Sequence, residues 1–118
     1  MCCSYLKETN GGYTVELPAC PVETTLMIIG NKWKVLILRE LLSGTKRFGE
    51  LKKSIGSVSQ KVLTAQLRDM EEKGLLERKV YAEVPPKVEY TLTETGYSLK
   101  PILDAMYAWG ENYKSKMK

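Results

Sequence analysis

The sequence predicts a mainly α-helical domain that carries one small β-hairpin. Apolar residues recur at helical spacing in successive stretches, most of which close on a glycine. The pattern changes to period two only between Leu76 and Leu92, on either side of Pro85-Pro86. A length of 118 residues, 43% hydrophobic and 27% charged, suits one ordinary domain and leaves no room for two. No apolar run approaches the roughly 18 residues of a membrane span, so no membrane partner is expected.

The first helix is expected from Cys20 to Ile29, with Pro21 at the first helical position and Gly30 as its stop. Residues 1–19 before it are mostly polar and irregular and are expected to form a flexible segment, which leaves residues 20–118 as the folded domain. A second helix runs from Lys32 to about Leu42, with Trp33, Leu36, Ile37 and Leu41 on one face and Ser43-Gly44 behind it. The third, Phe48 to Ile55, is short, anchored by Phe48, Leu51 and Ile55, and broken by Gly56. Ser57 and Gln60 have the spacing of a capping box and open a helix from about Ser59 to Lys73 that closes at Gly74. Two strands follow, Leu76 to Tyr81 and Val88 to Leu92, with a proline-bearing tip between them. Thr93 caps a last helix, Glu94 to about Tyr113. Its apolar stripe of Leu99, Ile102, Leu103, Met106, Trp109 and Tyr113 is broader than a small domain covers alone, so dimerisation through this helix is expected.

Charge is distributed unevenly along this frame. The net charge is +4, but residues 46–68 hold Lys46, Arg47, Lys52, Lys53, Lys61 and Arg68 against Glu50 alone, a local balance of +5. On the helix after Gly56, Leu63, Leu67 and Met70 lie on one stripe. At roughly 100° per residue, Lys61, Thr64, Ala65 and Arg68 then point the other way, with Gln60 at the first turn. Asp69, Glu71 and Glu72 gather toward the far end. The N-terminal half, which has the positive end of the helix dipole, is therefore the half that suits an anion. A short helix, a turn, a second helix with a basic face and a hairpin form the pattern of a winged helix-turn-helix.

Five blocks sharpen the reading: Cys20-Pro21-Val22-Glu23, the run from Gly30 to Leu38 (GNKWKVLIL), Lys46-Arg47-Phe48-Gly49-Glu50-Leu51, Ser59-Gln60-Lys61-Val62-Leu63-Thr64, and the run from Tyr81 to Tyr90 (YAEVPPKVEY). In this order they resemble the signature blocks of HxlR-type winged-helix regulators, over about Cys20 to Gly110. The resemblance implies homodimers that bind inverted repeats in double-stranded DNA as repressors or, less often, activators. It also implies, for some relatives, sensing of oxidants or electrophiles through a cysteine at the place of Cys20. On this basis Lys61, Thr64 and Arg68 are expected at base edges or nearby phosphates, with Gln60 and Ser59 at the helix mouth. Lys46 and Arg47 are expected to hold phosphate, together with Lys87 at the wing tip and Lys79 beside it.

Other function classes fit the residues less well. A winged helix used only for protein contact predicts a neutral recognition face, against which Lys61 and Arg68 count. The chain has no histidine and no glycine-rich phosphate loop, so Cys20 lacks the usual base of a cysteine nucleophile, and neither a catalytic residue nor a cofactor is expected. Zinc binding by Cys2, Cys3 and Cys20 would need a fourth ligand and a better spacing, so no metal site is expected. The odd cysteine count, and an N-terminus (MCCSYLKE) without a secretory layout, point to the cytoplasm. At the N-cap of its helix the Cys20 sulfur is expected to favour thiolate, which makes it the candidate redox sensor.

Overall fold

The structure is a computed structural model and describes residues 17–117. Most of the expected N-terminal segment, with Cys2 and Cys3, lies outside the described residues. The elements run α1 (Pro21–Ile29), α2 (Lys32–Leu41), β1 (Lys46–Arg47), α3 (Phe48–Ile55), α4 (Gln60–Glu72), β2 (Leu76–Tyr81), β3 (Lys87–Leu92), α5 (Glu94–Tyr97) and α6 (Lys100–Lys116). This is the winged helix-turn-helix arrangement that the sequence predicts, with two additions. A two-residue strand, β1, joins the hairpin as a third antiparallel strand in the order β1-β3-β2, and the last helix is split in two. The split falls where Pro101, which has no amide to donate, enters the first turn of α6.

Local chemistry sets each boundary. Between α1 and α2 only Gly30 fits, because a β-carbon there would run into the Leu26 carbonyl. Asn31 caps α2 by accepting from the Lys34 amide at 3.0 Å. The Glu50 carboxylate accepts from the Arg47 amide at 2.8 Å and closes the start of α3. On α4 the cap is Ser59, which accepts from the Val62 amide at 3.1 Å, and the expected Ser57 stands outside the helix. The Thr93 hydroxyl accepts from the Gly96 amide at 3.1 Å and donates to the Gly74 carbonyl at 2.6 Å, tying the end of α4 to α5.

The core collects Ile37, Leu38 and Leu41 of α2, Leu51 of α3, Leu63, Leu67 and Met70 of α4, and Leu76, Tyr90 and Leu92 of the sheet. On α2 the buried face is Lys34, Ile37, Leu38 and Leu41, and the expected Trp33 and Leu36 are half-buried beside it. Leu99 and Leu103 join the same core at 8% and 9% exposure, which removes them from the expected dimer stripe. Their burial against the body of the domain is a consequence of the break at Pro101, which starts α6 close to the core.

Lys34 is the one charged side chain buried among the described residues, and it forms an ion pair with Asp69 of α4. Lys73 donates to the same carboxylate at 2.9 and 3.0 Å. The Lys34 ammonium holds the Asp69 carboxyl below its usual 3.8; partial burial pushes the other way, and Lys73 adds to the lowering. A carboxyl whose folded pKa lies below its unfolded value stabilises the fold above the unfolded value. That contribution disappears as pH falls through the folded one. The stability difference between wild type and Asp69→Asn is therefore expected to be flat from about pH 7 to about pH 5 and to shrink below about pH 4. Urea denaturation at a series of pH values measures it, and a gap that persists undiminished in acid refutes the role of this pair.

Candidate nucleic-acid interface

Burial of Leu63, Leu67 and Met70 rotates the other side of α4 to solvent. Gln60, Lys61, Ala65 and Arg68 are exposed and Thr64 is half-exposed, and these five residues line one shallow depression of about 540 Å³. The structure thus brings together the α4 residues that the sequence singles out. Ser59 stands at the mouth of the same helix, with its hydroxyl oxygen engaged as the cap.

Lys46 and Arg47 form β1, where Lys46 lies opposite Tyr90 and Arg47 opposite Glu89. Because the Glu50 carboxylate is directed to the Arg47 amide, it does not neutralise the Arg47 guanidinium. Among the described residues none of the six cations of residues 46–68 makes an ion pair. Lys34, Arg39, Lys73, Arg78, Lys87 and Lys100, outside this stretch, each do.

The wing divides its charges between two faces. Opposed residues of an antiparallel pair share a face, so Arg78 joins Tyr90, Val80 and Val88 on the side of the core, and Lys79, Tyr81, Lys87 and Glu89 share the other side. Lys87 begins β3 and, paired with Tyr81, stands at the base of the tip loop. Its ammonium lies 4.6 Å from the Tyr81 ring centroid and 3.7 Å from Glu89, and Lys79 stacks on the same ring at 5.1 Å. Sequence reasoning missed Arg78. It faces α4 across a cleft of about 480 Å³ whose lining includes Phe48, Thr64, Arg68, Glu71 and Tyr90. Its partner there is Glu71 at 3.8 Å, in a pair nearly half exposed on both sides. The signal was available, since at period two Arg78 falls on the same face as the apolar Leu76 and Val80. Burial pushes the Tyr90 phenol up against the pull of Arg78, so the hydroxyl stays protonated in this cleft.

Cys20 is the N-cap of α1 in an extended conformation, without a side-chain cap hydrogen bond. It is 7% exposed and disulfide-bonded, so it is not the open thiolate that its position predicts. The C-terminal stripe splits as well. Ile102, Met106, Trp109 and Tyr113 are 38–67% exposed, with Trp109 and Tyr113 stacked at 5.2 Å between centroids. Among the described residues no cluster of potential metal ligands occurs and no helix is long and apolar enough to cross a membrane.

Comparison with known proteins agrees with this geometry. Residues 28–118 match the model of the HxlR-like helix-turn-helix family. The HTH-type transcriptional regulator YdeP of Bacillus subtilis is 50% identical over 102 residues, which span 86% of this chain and 80% of YdeP. The redox regulator HypR in its reduced form superposes with a TM-score of 0.78 at 46% identity, over 82% of this chain and 96% of HypR; its oxidised form gives 0.74 at 49% identity, over 79% and 96%. The reduced form of the transcriptional regulator YodB from B. subtilis gives 0.71 at 39% identity, over 80% of this chain and 93% of YodB. Relatives of this kind are regulators and not enzymes. The chain belongs to the HxlR-like helix-turn-helix family of transcriptional regulators.

Proposed function

We propose that this regulator binds duplex DNA as a homodimer, with α4 in the major groove of each half of an inverted repeat, and acts chiefly as a repressor. The carrying observation is the exposed face of α4. Lys61 and Arg68 flank the small Thr64 and Ala65 there, and among the described residues none of the six cations of residues 46–68 makes an ion pair. Thr64 and Ala65 allow close approach to base edges, and Lys61 and Arg68 supply donors. Lys46 and Arg47 add phosphate contacts at the edge of the sheet. Arg78 suits the same strand from the wing, and Lys87, held by Tyr81 and Glu89, contributes less. Affinity for duplex is expected to fall steeply with salt, and Arg68→Ala to weaken specific binding by about 1–3 kcal/mol. Anisotropy titrations at two salt concentrations measure both. Affinity indifferent to salt and to Arg68 would leave the winged helix as a protein-contact module.

The dimer reading rests on α6. Beyond Leu103 every described residue of this helix except Gly110 is exposed, and Ile102, Met106, Trp109 and Tyr113 give that exposure an apolar stripe. Val22 and Leu26, 62% and 59% exposed, add a second apolar strip on α1. A groove of about 380 Å³ between α2 and α6, walled by Val35, Leu36, Leu42, Met106 and Tyr107, offers a seat for a partner helix. Two-fold pairing also matches the symmetry of paired half-sites. Met106→Glu puts a charge into this seam while sparing the monomer core, and is expected to convert a dimer to a monomer in sedimentation. Wild type sedimenting as a monomer at micromolar concentration refutes the interface.

Response to oxidants or electrophiles through Cys20 belongs to the same proposal. Its support is the position of Cys20 at the head of α1, beside the apolar strip proposed to pair, and the similarity to HypR, described as a redox regulator. A change in bonding at Cys20 would re-aim α1 and with it the two recognition helices. Oxidant is expected to change the duplex affinity of the reduced wild type severalfold and to leave Cys20→Ser unaffected. Identical responses in the two proteins remove Cys20 from regulation without touching DNA binding.

A further inference from the structure

The apolar face of α4 fixes where the helix sits but only weakly how it is rolled, because leucine and methionine contacts have no preferred direction. Direction comes from one polar edge. Gln66 and Asp69 of α4 and Lys73 at its C-cap follow one another at three- and four-residue steps, and the first two meet Asn31 and Lys34 at the start of α2. There the Asn31 side-chain amide donates to Gln66 at 3.2 Å, and the buried Lys34 ammonium pairs with Asp69. Asn31 serves two helices at once, since its other amide atom caps α2 at the Lys34 amide.

Burying Lys34 is an unusual choice if only stability matters, because an ion pair taken out of water is often no more stabilising than apolar residues of the same volume. What apolar residues cannot supply is direction. A roll of about 20° moves groups on a helix surface by about 2 Å, more than the range over which a hydrogen bond to a base edge survives. We propose that Lys34 is a positioning residue for DNA recognition: through Asp69 it fixes the roll of α4, so that Lys61, Thr64 and Arg68 meet the bases in register. Asn31 and Gln66 form the second contact of the same latch. This inference rests on the DNA-binding reading above.

The probe is the duplex that wild type selects from a random-sequence library, measured against a scrambled duplex of equal length and composition. Lys34→Met/Asp69→Leu replaces the pair by apolar side chains, keeps the net charge and is expected to fold. Its preference for the selected duplex is expected to drop about tenfold, with affinity for the scrambled duplex and its salt dependence unchanged. Lys34→Arg, which keeps the ion pair, is expected to retain most of the preference. Asn31→Ser keeps a good cap on α2 but loses the donor to Gln66, and is expected to lower the preference by about threefold. The proposal is overturned if the folded double variant discriminates as wild type does, whatever Asn31→Ser does, or if affinity falls equally for both duplexes. If wild type itself enriches no sequence, the DNA-binding reading fails and this one with it, a result seen before any variant is made.

Discussion

The structure depends on how α4 is committed to the core. Leu63, Leu67 and Met70 occupy positions that a helix of 3.6 residues per turn places on one side, and α2, α3 and the sheet close over them. Once that side is buried, Gln60, Lys61, Ala65 and Arg68 have nowhere to go but outward. The glycines before and after this unit, Gly56 and Gly74, have φ of 88° and 78° and permit the sharp exits that let α3, α4 and the wing share one core. The exposure of this chemistry on α4 therefore follows from hydrophobic packing on its other side.

That same logic explains what was legible in the sequence. Helix α3 runs from Phe48 to Ile55 as its anchors indicate, and the face of α4 follows from periodicity alone. The strand β1 was not legible, because two residues carry no period and Lys46 and Arg47 become a strand only by pairing with Tyr90 and Glu89. The continuous stripe after Thr93 concealed a break, since Leu99 and Leu103 satisfy helical spacing on both sides of it while only Pro101 marks the interruption. Those two leucines then turned inward, a tertiary outcome that a one-dimensional stripe cannot separate from an exposed interface. Nothing in the sequence marks Lys34 for burial, since its partner Asp69 lies thirty-five positions on and is brought to it only by the fold.

The wing shows how a correct strand assignment can still misplace function. The hairpin was expected, yet charge alone drew notice to Lys79 and Lys87 rather than to Arg78. Period two assigns the faces: Leu76 is 1% exposed, so Arg78 must share the inner side with Tyr90, and Lys79 must face away. On the outer side two ammonium groups are gathered around one tyrosine ring, with Glu89 accepting from its hydroxyl at 3.2 Å. Glu89 offsets one of the two ammonium charges, and the ring gathers both side chains on the face opposite Arg78.

A net charge of only +4 is consistent with a strongly basic face because the acids lie almost wholly outside residues 46–68, and several of them are occupied. Asp69 is held by Lys34 and Lys73, Glu71 by Arg78, Glu89 by Lys87, Asp104 by Lys100, and Glu50 by a backbone amide. Each pairing neutralises a cation outside residues 46–68 or, at Glu50, leaves the neighbouring cation alone. The acids on α4 also sit past its midpoint, so repulsion of phosphate falls on its C-terminal half, away from Gln60 and Lys61. Within about one Debye length, roughly 8–10 Å, an approaching polyanion therefore senses the local excess on residues 46–68 and not the average over the chain. The arrangement of carboxylates shapes the interface as much as the lysines and arginines do.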